Sequence, residues 1–398
     1  MTILIILSAI FTGAYLVLML LYYTGWIATK EFAIKDFQPK TKVAIIISAR
    51  NEEKNILNVV QDILAQNYPK DLMEIFVMDD FSSDKTVDVL KSISDSRLKI
   101  IQLKNEVSDE NNSSKKKAIE IAISKTQADL IVTTDADCRM KPEWLKNLVA
   151  AHELHGKQFI MGPVKYDKAI VEKNLRDSSL PLRGRDRDGA ETFFEQMQTL
   201  DFFGYTGIAC GSLFWRMPAL CNGANLAYSR KLFYELNGFE GNEKIASGDD
   251  MFLMTKAFQK NPSSVFYLKS AEATVSTFAS VTWKEFLQQR IRWGSKSKHY
   301  TDFKITASLA VVFLFYLLII IATILSTANC QLLTVALFMF LSKCLIDAIF
   351  LGSVANFFNR RKLLLIFLPA QLFHISYVLV AGLLSQLKTY NWKNRINR

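Results

Sequence analysis

Long uninterrupted apolar stretches lie at both ends of the chain, whereas the middle alternates short apolar runs with polar segments. Residues 3–23 carry no charged side chain and are long enough to cross a bilayer as one helix. Three more apolar runs of spanning length lie at residues 305–325, 332–354 and 363–387. The pattern predicts an N-terminal transmembrane anchor (1–24), three C-terminal transmembrane helices (305–387) and a basic tail (388–398).

Between these ends, residues 40–280 show the alternation of strands and helices that is typical of an α/β domain. Strands are predicted at 43–48, 75–78, 98–103 and 130–133, and helices at 52–66, at 84–91, at 115–124 and from Pro142 onward. This order predicts a mostly parallel sheet with helices on both faces. Ligands bind beyond the carboxyl ends of such strands. Four polar residues are placed there: Ser48, Asp80, Asp135 and Asp137.

The positive charge of the chain indicates a membrane surface as its partner rather than nucleic acid. The 398 residues carry a formal net charge of +10, and 50% of them are hydrophobic. Trp283, Phe286, Leu287 and Ile291 recur at helical spacing, so residues 281–304 are predicted to form an amphipathic helix on the membrane surface. The five cysteines include no C-x-x-C pair, which fits a reducing cytoplasm.

Three features of the chain allow more than one interpretation. Lys343 and Asp347 share a helix face and are predicted to pair, either lining an acceptor path or neutralising each other at a helix contact. A cytoplasmic catalytic domain followed by three spans would place the C-terminus outside, which conflicts with the basic tail. The charged stretch 172–189 is interpreted as a surface excursion rather than a phosphate clamp.

Three pairs of carboxylates are candidates for chemistry. Asp135 and Asp137 follow a buried strand and offer a divalent cation the oxygen ligands that it prefers; alternatively they form a simple turn. Asp79 and Asp80 end another strand, where a carboxylate can accept hydrogen bonds from a base or ribose; alternatively they belong to the N-terminal turn of the next helix. Asp249 and Asp250 begin a predicted helix, either as a general base for an acceptor hydroxyl or as acidic residues favoured by the helix dipole.

A fourth candidate is the sequence Gln289-Arg290-Ile291-Arg292-Trp293 in the amphipathic helix. Arg292 can pair with a diphosphate, and the ring of Trp293 offers a flat face for a sugar. The alternative is a basic interfacial helix with an aromatic anchor.

Five segments in this order resemble family 2 glycosyltransferases of the GT-A fold: VAIIISARNEE, VMDDFSSDKT, TTDADC, SGDDMF and QQRIRW. The similarity is greatest to the membrane-bound branch that contains cellulose, hyaluronan and poly-N-acetylglucosamine synthases and ceramide glucosyltransferase. It covers about residues 42–293. The resemblance implies a GT-A domain with a mixed, mostly parallel sheet, flanked by transmembrane helices.

The resemblance also implies roles for individual residues. Ser48, Glu52, Asp80 and Asp135 are expected to bind the donor nucleotide, together with Lys115, although Lys116 and Lys117 are alternatives. Asp135 and Asp137 are expected to hold Mn²⁺ or Mg²⁺. Asp250 is expected to act as the base, with Asp249 beside it. Diphosphate and acceptor contacts are expected from the following residues: Gln289, Arg292, Trp293, Gly223 and Asn225.

The expected function is therefore inverting transfer of a sugar from a UDP-sugar to a lipid, lipid-linked or polysaccharide acceptor. The catalytic domain is expected at the cytoplasmic face of the inner or plasma membrane. One alternative is a processive polysaccharide synthase, and another is a non-catalytic subunit of a membrane glycan export complex. The sequence does not indicate an oligomeric state.

Overall fold

The computed structural model describes residues 1–108, 115–167, 191–218, 220–243, 245, 248–387, 390–392 and 395–397. The chain divides into two compact units. The sheet unit comprises Lys30–Ala190 and Cys221–Ala279, and the helical unit comprises Met1–Thr29, Glu191–Leu220 and Ser280–Arg398. The predicted surface excursion at 172–189 lies outside the described residues.

The sheet unit is built on a seven-stranded sheet with the strand order β3-β2-β1-β4-β7-β5-β8. The strands of the chain are β1 (Val43–Ala49), β2 (Met73–Asp79), β3 (Leu98–Gln102), β4 (Leu130–Asp135), β5 (Phe159–Met161), β6 (Val164–Tyr166), β7 (Leu226–Ser229), β8 (Val265–Tyr267), β9 (Val275–Thr277), β10 (Tyr390–Trp392) and β11 (Arg395–Asn397). In the large sheet, β7 runs antiparallel to its neighbours β4 and β5. The prediction of a mixed, mostly parallel sheet is confirmed.

Helices alternate with these strands in the sheet unit and dominate the helical unit. The α-helices are α1 (Thr2–Ala28), α2 (Ile56–Leu64), α3 (Thr86–Lys91), α4 (Lys115–Ser124), α5 (Trp144–His155), α6 (Phe193–Phe214), α7 (Arg230–Glu235), α8 (Asp249–Lys260), α9 (Trp283–Ser295), α10 (Phe303–Leu325), α11 (Cys330–Phe357) and α12 (Phe367–Leu387). The predicted helices of the α/β domain are present, although α2 begins four residues later than predicted.

The register of the sheet aligns the carboxyl ends of β1, β2 and β4. Strand β1 is central, and its apolar residues are buried on both faces, as expected for a strand in a parallel sheet. Ser48 pairs with Met78 of β2 on one side and with Asp135 of β4 on the other. The polar residues that end these strands therefore share one edge, as the alternation predicted.

Four helices of the helical unit are long and apolar enough to cross a membrane: α1, α10, α11 and the segment Arg361–Leu387, which contains α12. The prediction of one span near the N-terminus and three near the C-terminus is confirmed by length and composition. Lys343 and Asp347 pair within α11, where Lys343 Nζ lies 2.6 Å from Asp347 Oδ2. Lys343 also donates to Gln371 of α12, and the hydroxyl of Tyr15 of α1 donates to Asp347 Oδ1 at 2.8 Å. The pair therefore ties three spans together.

Helix α6 belongs to the helical unit, which the sequence did not predict. Residues 191–220, which lie within the predicted domain at 40–280, group with the spans. The reason is a close backbone contact between α6 and α1. A Cβ atom built on Gly25 would lie 2.1 Å from the carbonyl oxygen of Gly211, and one on Gly211 would lie 2.1 Å from that of Tyr22. Such a contact requires glycine on both helices.

Candidate active site

The loops that follow β1 and β2 are hydrogen-bonded to each other at the edge of the sheet formed by the carboxyl ends of the strands. Asn51 and Phe81 have left-handed backbones, with φ of 54° and 56°. The backbone N–H of Asn51 donates to Ser82 Oγ at 3.0 Å, and Asn51 Oδ1 accepts from the N–H of Ser83 at 2.8 Å. A left-handed phenylalanine is strained and persists only where surrounding contacts hold it. These two loops therefore form a fixed wall at the edge.

Buried polar atoms without a hydrogen-bond partner occur at this edge in the described part of the chain, and two of them belong to residues that end strands β1 and β2. They are Ser48 Oγ and one carboxylate oxygen, Oδ1, of Asp79. Burial raises the pKa of Asp79 above its usual range. Buried polar atoms in native proteins are normally paired, so these two are available to a ligand. The resemblance assigned Ser48 and Asp80 to nucleotide binding, and the sequence pattern had indicated the pair Asp79 and Asp80; these roles remain predictions.

Asp80 and Glu52 are fixed by backbone contacts beside those atoms. The N–H of Asp80 donates to the carbonyl of Ala49 at 2.8 Å, and Arg50 Nη1 donates to the carbonyl of Asp80 at 3.0 Å. The N–H of Glu52 donates to Thr86 Oγ1 at 2.8 Å, and Glu52 Oε2 accepts from Asn55 Nδ2 at 2.8 Å. Both carboxylates thus lie on the same wall, and their nucleotide-binding role remains a prediction.

The side chain of Lys115 bridges a carboxylate at the end of β4 and another at the start of α8. Its Nζ donates to Asp135 Oδ1 at 2.6 Å and lies 3.7 Å from Asp249 Oδ2. Burial alone would lower the pKa of Lys115, but the nearby carboxylates of Asp135, Asp249 and Asp250 outweigh it and raise that pKa. Lys115 is therefore charged at neutral pH and binds carboxylates from two distant parts of the sequence.

The three successive lysines have different environments, which separates the alternatives left by the sequence. Lys116 is buried and donates to the backbone carbonyls of Asn242 and Ile245 at 2.7 and 2.9 Å. Lys117 lies 3.7 Å from Glu120 at the surface. Lys115 is thus the member of the three that faces the carboxylates. Lys116 instead holds the loop that leads to α8.

The carboxylate of Asp250 is held by two backbone N–H groups. Oδ2 accepts from the N–H of Gly223 at 3.0 Å, and Oδ1 accepts from the N–H of Met251 at 2.7 Å. Gly248 precedes the helix with φ of 86°, a left-handed conformation that favours glycine. Asp249 and Asp250 therefore lie in the first turn of α8, where the helix dipole also favours negative charge.

Gly223 lies against this group of side chains. A Cβ atom built on it would be 3.3 Å from Asp249 Oδ2, 3.3 Å from Lys115 Nζ and 3.6 Å from Asp250 Cβ. Its carbonyl accepts from Thr133 Oγ1 of β4 at 3.1 Å. We call Lys115, Asp135, Asp249, Asp250 and Gly223 the carboxylate cluster.

Asn225, which the resemblance assigned to the acceptor side, lies in the core, and its contact with an acceptor stays a prediction. Its side chain is fully buried and donates to the carbonyls of Pro163 and Ala273 at 2.8 and 2.7 Å, while its Oδ1 accepts from Trp144 Nε1 at 2.9 Å. All of its hydrogen-bonding groups are used within the core. Asn225 is therefore a structural residue that fixes the segment following Gly223.

Asp135 and Asp137 fit a hard divalent cation by their chemistry. Both are partly exposed carboxylates at the end of β4, and Mg²⁺-type ions in nucleotide sites commonly use one or two carboxylates plus phosphate oxygens. Among the described residues, no group of three or more metal-ligating side chains is assembled. A divalent cation bound there would be held by these two carboxylates, with its other ligands supplied by a bound molecule and water.

Gln289, Arg292 and Trp293 lie on α9 in the helical unit, and their contacts with donor or acceptor stay predictions. The apolar face of α9 packs on α12, with Ile291 against Ala381. Arg290, which the sequence did not single out, is buried, and its Nη2 donates to Asp201 Oδ2 of α6 at 2.7 Å. Its guanidinium lies 4.3 Å from the centre of the Trp293 ring.

Asp201 is the shared partner that holds α9 and α12. Besides Arg290, it bonds His374 Nδ1 at 2.9 Å and accepts from the hydroxyl of Tyr377 at 2.5 Å, both through Oδ1. Burial alone would raise the pKa of Asp201, but Arg290, His374 and Tyr377 lower it to about 2. The sequence carries no local signal for this contact, because Asp201 and Arg290 are 89 residues apart.

Comparison with known proteins matches the family described as "Glycosyl transferase family 2" to residues 44–219. The probable glycosyltransferase YdaM of Bacillus subtilis is 24% identical over 267 residues, which are 65% of this chain and 56% of that protein. A beta-monoglucosyldiacylglycerol synthase of Synechocystis is 28% identical over 113 residues, 28% of this chain and 23% of that protein. The chain therefore matches about half or less of the length of these relatives.

A solved structure with the same fold is the mannosyltransferase PcManGT from Pyrobaculum calidifontis, determined in complex with GDP-Man and Mn²⁺. The TM-score is 0.57 at 18% identity, with 96% of this chain and 99% of that chain covered. The likeness extends over the spans as well as the sheet. The predictions of a GT-A fold and of the family are confirmed at the level of the domain: residues 44–219 match glycosyl transferase family 2.

Proposed function

We propose that the chain is an inverting glycosyltransferase that moves a sugar from a UDP-linked donor to a lipid or glycan acceptor at the cytoplasmic membrane face. The observation that supports it most strongly is the carboxylate cluster. Residues separated by more than one hundred positions meet there, at the edge where α/β sheets bind ligands.

The donor is proposed to lie along the wall formed by the loops after β1 and β2. The Ser48 hydroxyl would donate a hydrogen bond to the nucleoside or accept one from it, and Asp79 Oδ1 would accept one, beside Asp80 and Glu52. The diphosphate would extend from there toward Asp135 and Lys115, since Ser48 and Asp135 are register partners on adjacent strands. A divalent cation held by Asp135 and Asp137 would neutralise the leaving diphosphate.

Asp250 is proposed as the general base. The acceptor hydroxyl oxygen attacks the anomeric carbon and forms the new glycosidic bond, while the bond from that carbon to the diphosphate breaks. The nucleoside diphosphate leaves with the bonding electrons, and the hydroxyl proton passes to Asp250. The two backbone N–H groups on Asp250 hold the carboxylate in one orientation, and such pre-positioning supplies much of the catalysis in displacements of this kind.

Two observations support a membrane-bound acceptor. Four helices are long and apolar enough to span a bilayer. One relative is named a beta-monoglucosyldiacylglycerol synthase, and that name specifies a glycolipid product. The free cysteines of the described chain fit the reducing cytoplasm, which supports a cytoplasmic catalytic domain.

The test is release of nucleoside diphosphate by the purified full chain in detergent, using a panel of UDP-sugars and GDP-sugars with diacylglycerol or lipid-extract acceptors. We expect turnover with a UDP-sugar that EDTA abolishes. Asp250→Asn should lower kcat by roughly 10²–10⁴-fold, whereas the matched control Asp88→Asn on the exposed face of α3 should not.

The outcome also discriminates among the alternatives. Products that carry many added sugars would show that the enzyme is a processive synthase and does not stop after a single transfer. Nucleotide-sugar binding without turnover would favour a non-catalytic subunit. Full activity of the Asp250→Asn variant would remove that residue as base.

A further inference from the structure

Lys115 occupies the place where the proposed metal ligand Asp135 meets the carboxylates of α8. Its Nζ lies 2.6 Å from Asp135 Oδ1 and 3.7 Å from Asp249 Oδ2. The side chain of Lys115 is 21% exposed, compared with 40% for Asp135. The ammonium therefore lies between two carboxylates, and solvent screens its charge less than it screens that of a surface lysine.

This arrangement is possible because Gly223 has no Cβ atom. Any Cβ there would stand 3.3 Å from both Lys115 Nζ and Asp249 Oδ2. The backbone of Gly223 thus closes the cluster on one side, and its N–H fixes Asp250. Lys115 is held by the carboxylates of Asp135 and Asp249 in a defined position.

An ammonium at this position competes with a divalent cation for Asp135. One oxygen of that carboxylate already accepts a charge-assisted hydrogen bond. A divalent cation brought onto Asp135 while Lys115 remains would meet a like charge a few ångströms away, in a setting where such repulsion is strong. Either Lys115 moves or the metal binds weakly.

We propose that Lys115 is an internal counter-cation that holds Asp135 and Asp249 in the ligand-free protein and yields Asp135 to a divalent cation when a nucleoside diphosphate arrives. The diphosphate supplies the oxygens that the displaced ammonium then binds. Metal and nucleotide therefore bind with positive cooperativity, each raising the affinity of the other. The part of the proposal that concerns the nucleotide rests on the proposed function; the competition between Lys115 and the metal does not.

The experiment is a titration of the full chain in detergent with Mn²⁺ alone, followed by the electron paramagnetic resonance signal of free Mn²⁺. The variants are Lys115→Met and, as matched control, Lys117→Met, whose side chain is 49% exposed and lies by Glu120. We expect Lys115→Met to bind Mn²⁺ at least tenfold more tightly than wild type. The Mn²⁺ affinity of Lys117→Met should stay within threefold of wild type. This control measures the effect of losing one positive charge away from Asp135.

A second titration adds UDP or GDP at saturating Mn²⁺ and follows nucleotide binding by calorimetry. In this titration the variant should bind more weakly than wild type. We expect Lys115→Met to bind the nucleoside diphosphate at least tenfold more weakly, because the ammonium that would contact it is missing. A residue with a merely structural role would not strengthen binding of one ligand while weakening the other.

Equal Mn²⁺ affinities of wild type and Lys115→Met, weaker binding by the variant, or absence of Mn²⁺ binding in both would overturn the proposal. If Lys115→Met does not fold, Lys115→Gln replaces it in the same titrations. Failure of the proposed function looks different. In that case no nucleotide sugar is turned over, yet the tighter Mn²⁺ binding of the Lys115 variant persists.

Discussion

Replacement of Gly223 by alanine tests whether the geometry of the carboxylate cluster controls catalysis. The backbone of Gly223 is outside the left-handed region, so alanine can adopt it. The added methyl would approach Asp249 Oδ2 and Lys115 Nζ to 3.3 Å, a few tenths of an ångström closer than ordinary contact. Either the carboxylate or the ammonium must move by that amount.

The expected effects on stability and activity differ in size. Overpacking of this degree costs about 1 kcal/mol, and the loss of glycine flexibility in the unfolded chain offsets about 0.4–1 kcal/mol. The free energy of unfolding should therefore change by less than about 1 kcal/mol. The catalytic rate is more sensitive than stability to the positions of the reacting groups, since a 1 Å misplacement can lower the rate by roughly 10²-fold. A shift of a few tenths should lower kcat by roughly tenfold.

The assay compares kcat for nucleoside diphosphate release with thermal unfolding in detergent, for wild type, Gly223→Ala and Gly13→Ala. Gly13 is a suitable control because a Cβ there would meet nothing within 4 Å. The reasoning is refuted if Gly223→Ala keeps full kcat, which would mean that the cluster tolerates displacement. A loss of several kcal/mol of stability would also refute it, because Gly223 would then be primarily a packing residue.

Three further predictions concern parts of the fold that support the site. Lys116→Met should lower the free energy of unfolding by about 1 kcal/mol, measured by thermal unfolding, because it leaves two partly buried carbonyls without their charged donor; Lys117→Met should not. Asp201, whose folded pKa of about 2 lies below its usual value, should contribute about 2 kcal/mol of stability that is complete above pH 4 and is lost as the pH falls through 2. In Asp201→Asn this loss between pH 4 and pH 2 should be absent from the unfolding curves, and its persistence would contradict the assignment. Gly211→Ala should destabilise the protein in detergent by at least about 1–3 kcal/mol, since its methyl would overlap a backbone carbonyl of α1, and an unchanged melting temperature would show that the two helices can separate freely.

Local patterns in the sequence predicted the elements and the edge at which the site lies. The apolar run of β1 could be read without any tertiary information, because a strand buried on both faces has few polar residues. The order of strands and helices placed Ser48, Asp80 and Asp135 at one edge, because parallel strands share the direction of their carboxyl ends. Spacing within α11 also predicted the pairing of Lys343 and Asp347, which is a local i, i+4 contact.

Local sequence patterns did not predict the contacts between distant parts of the chain. Three consecutive lysines have nearly the same local sequence, yet Lys115 faces carboxylates and Lys116 faces backbone carbonyls. A helix rotates successive side chains by about 100°, so their partners depend on what packs around α4. The core contacts of Asn225 were not predicted for the same reason, because its amide donates to carbonyls that are remote in sequence.

The sequence by itself determined the α/β order, the four spanning helices and the acidic residues available for chemistry. Only the tertiary structure decided which of these residues meet, that α6 belongs with the spans, and that Asp201 holds Arg290. The physical reason is that periodicity records which face of an element is apolar, a property of neighbouring residues. The identity of a partner across the fold depends on packing, which a short stretch of sequence does not encode.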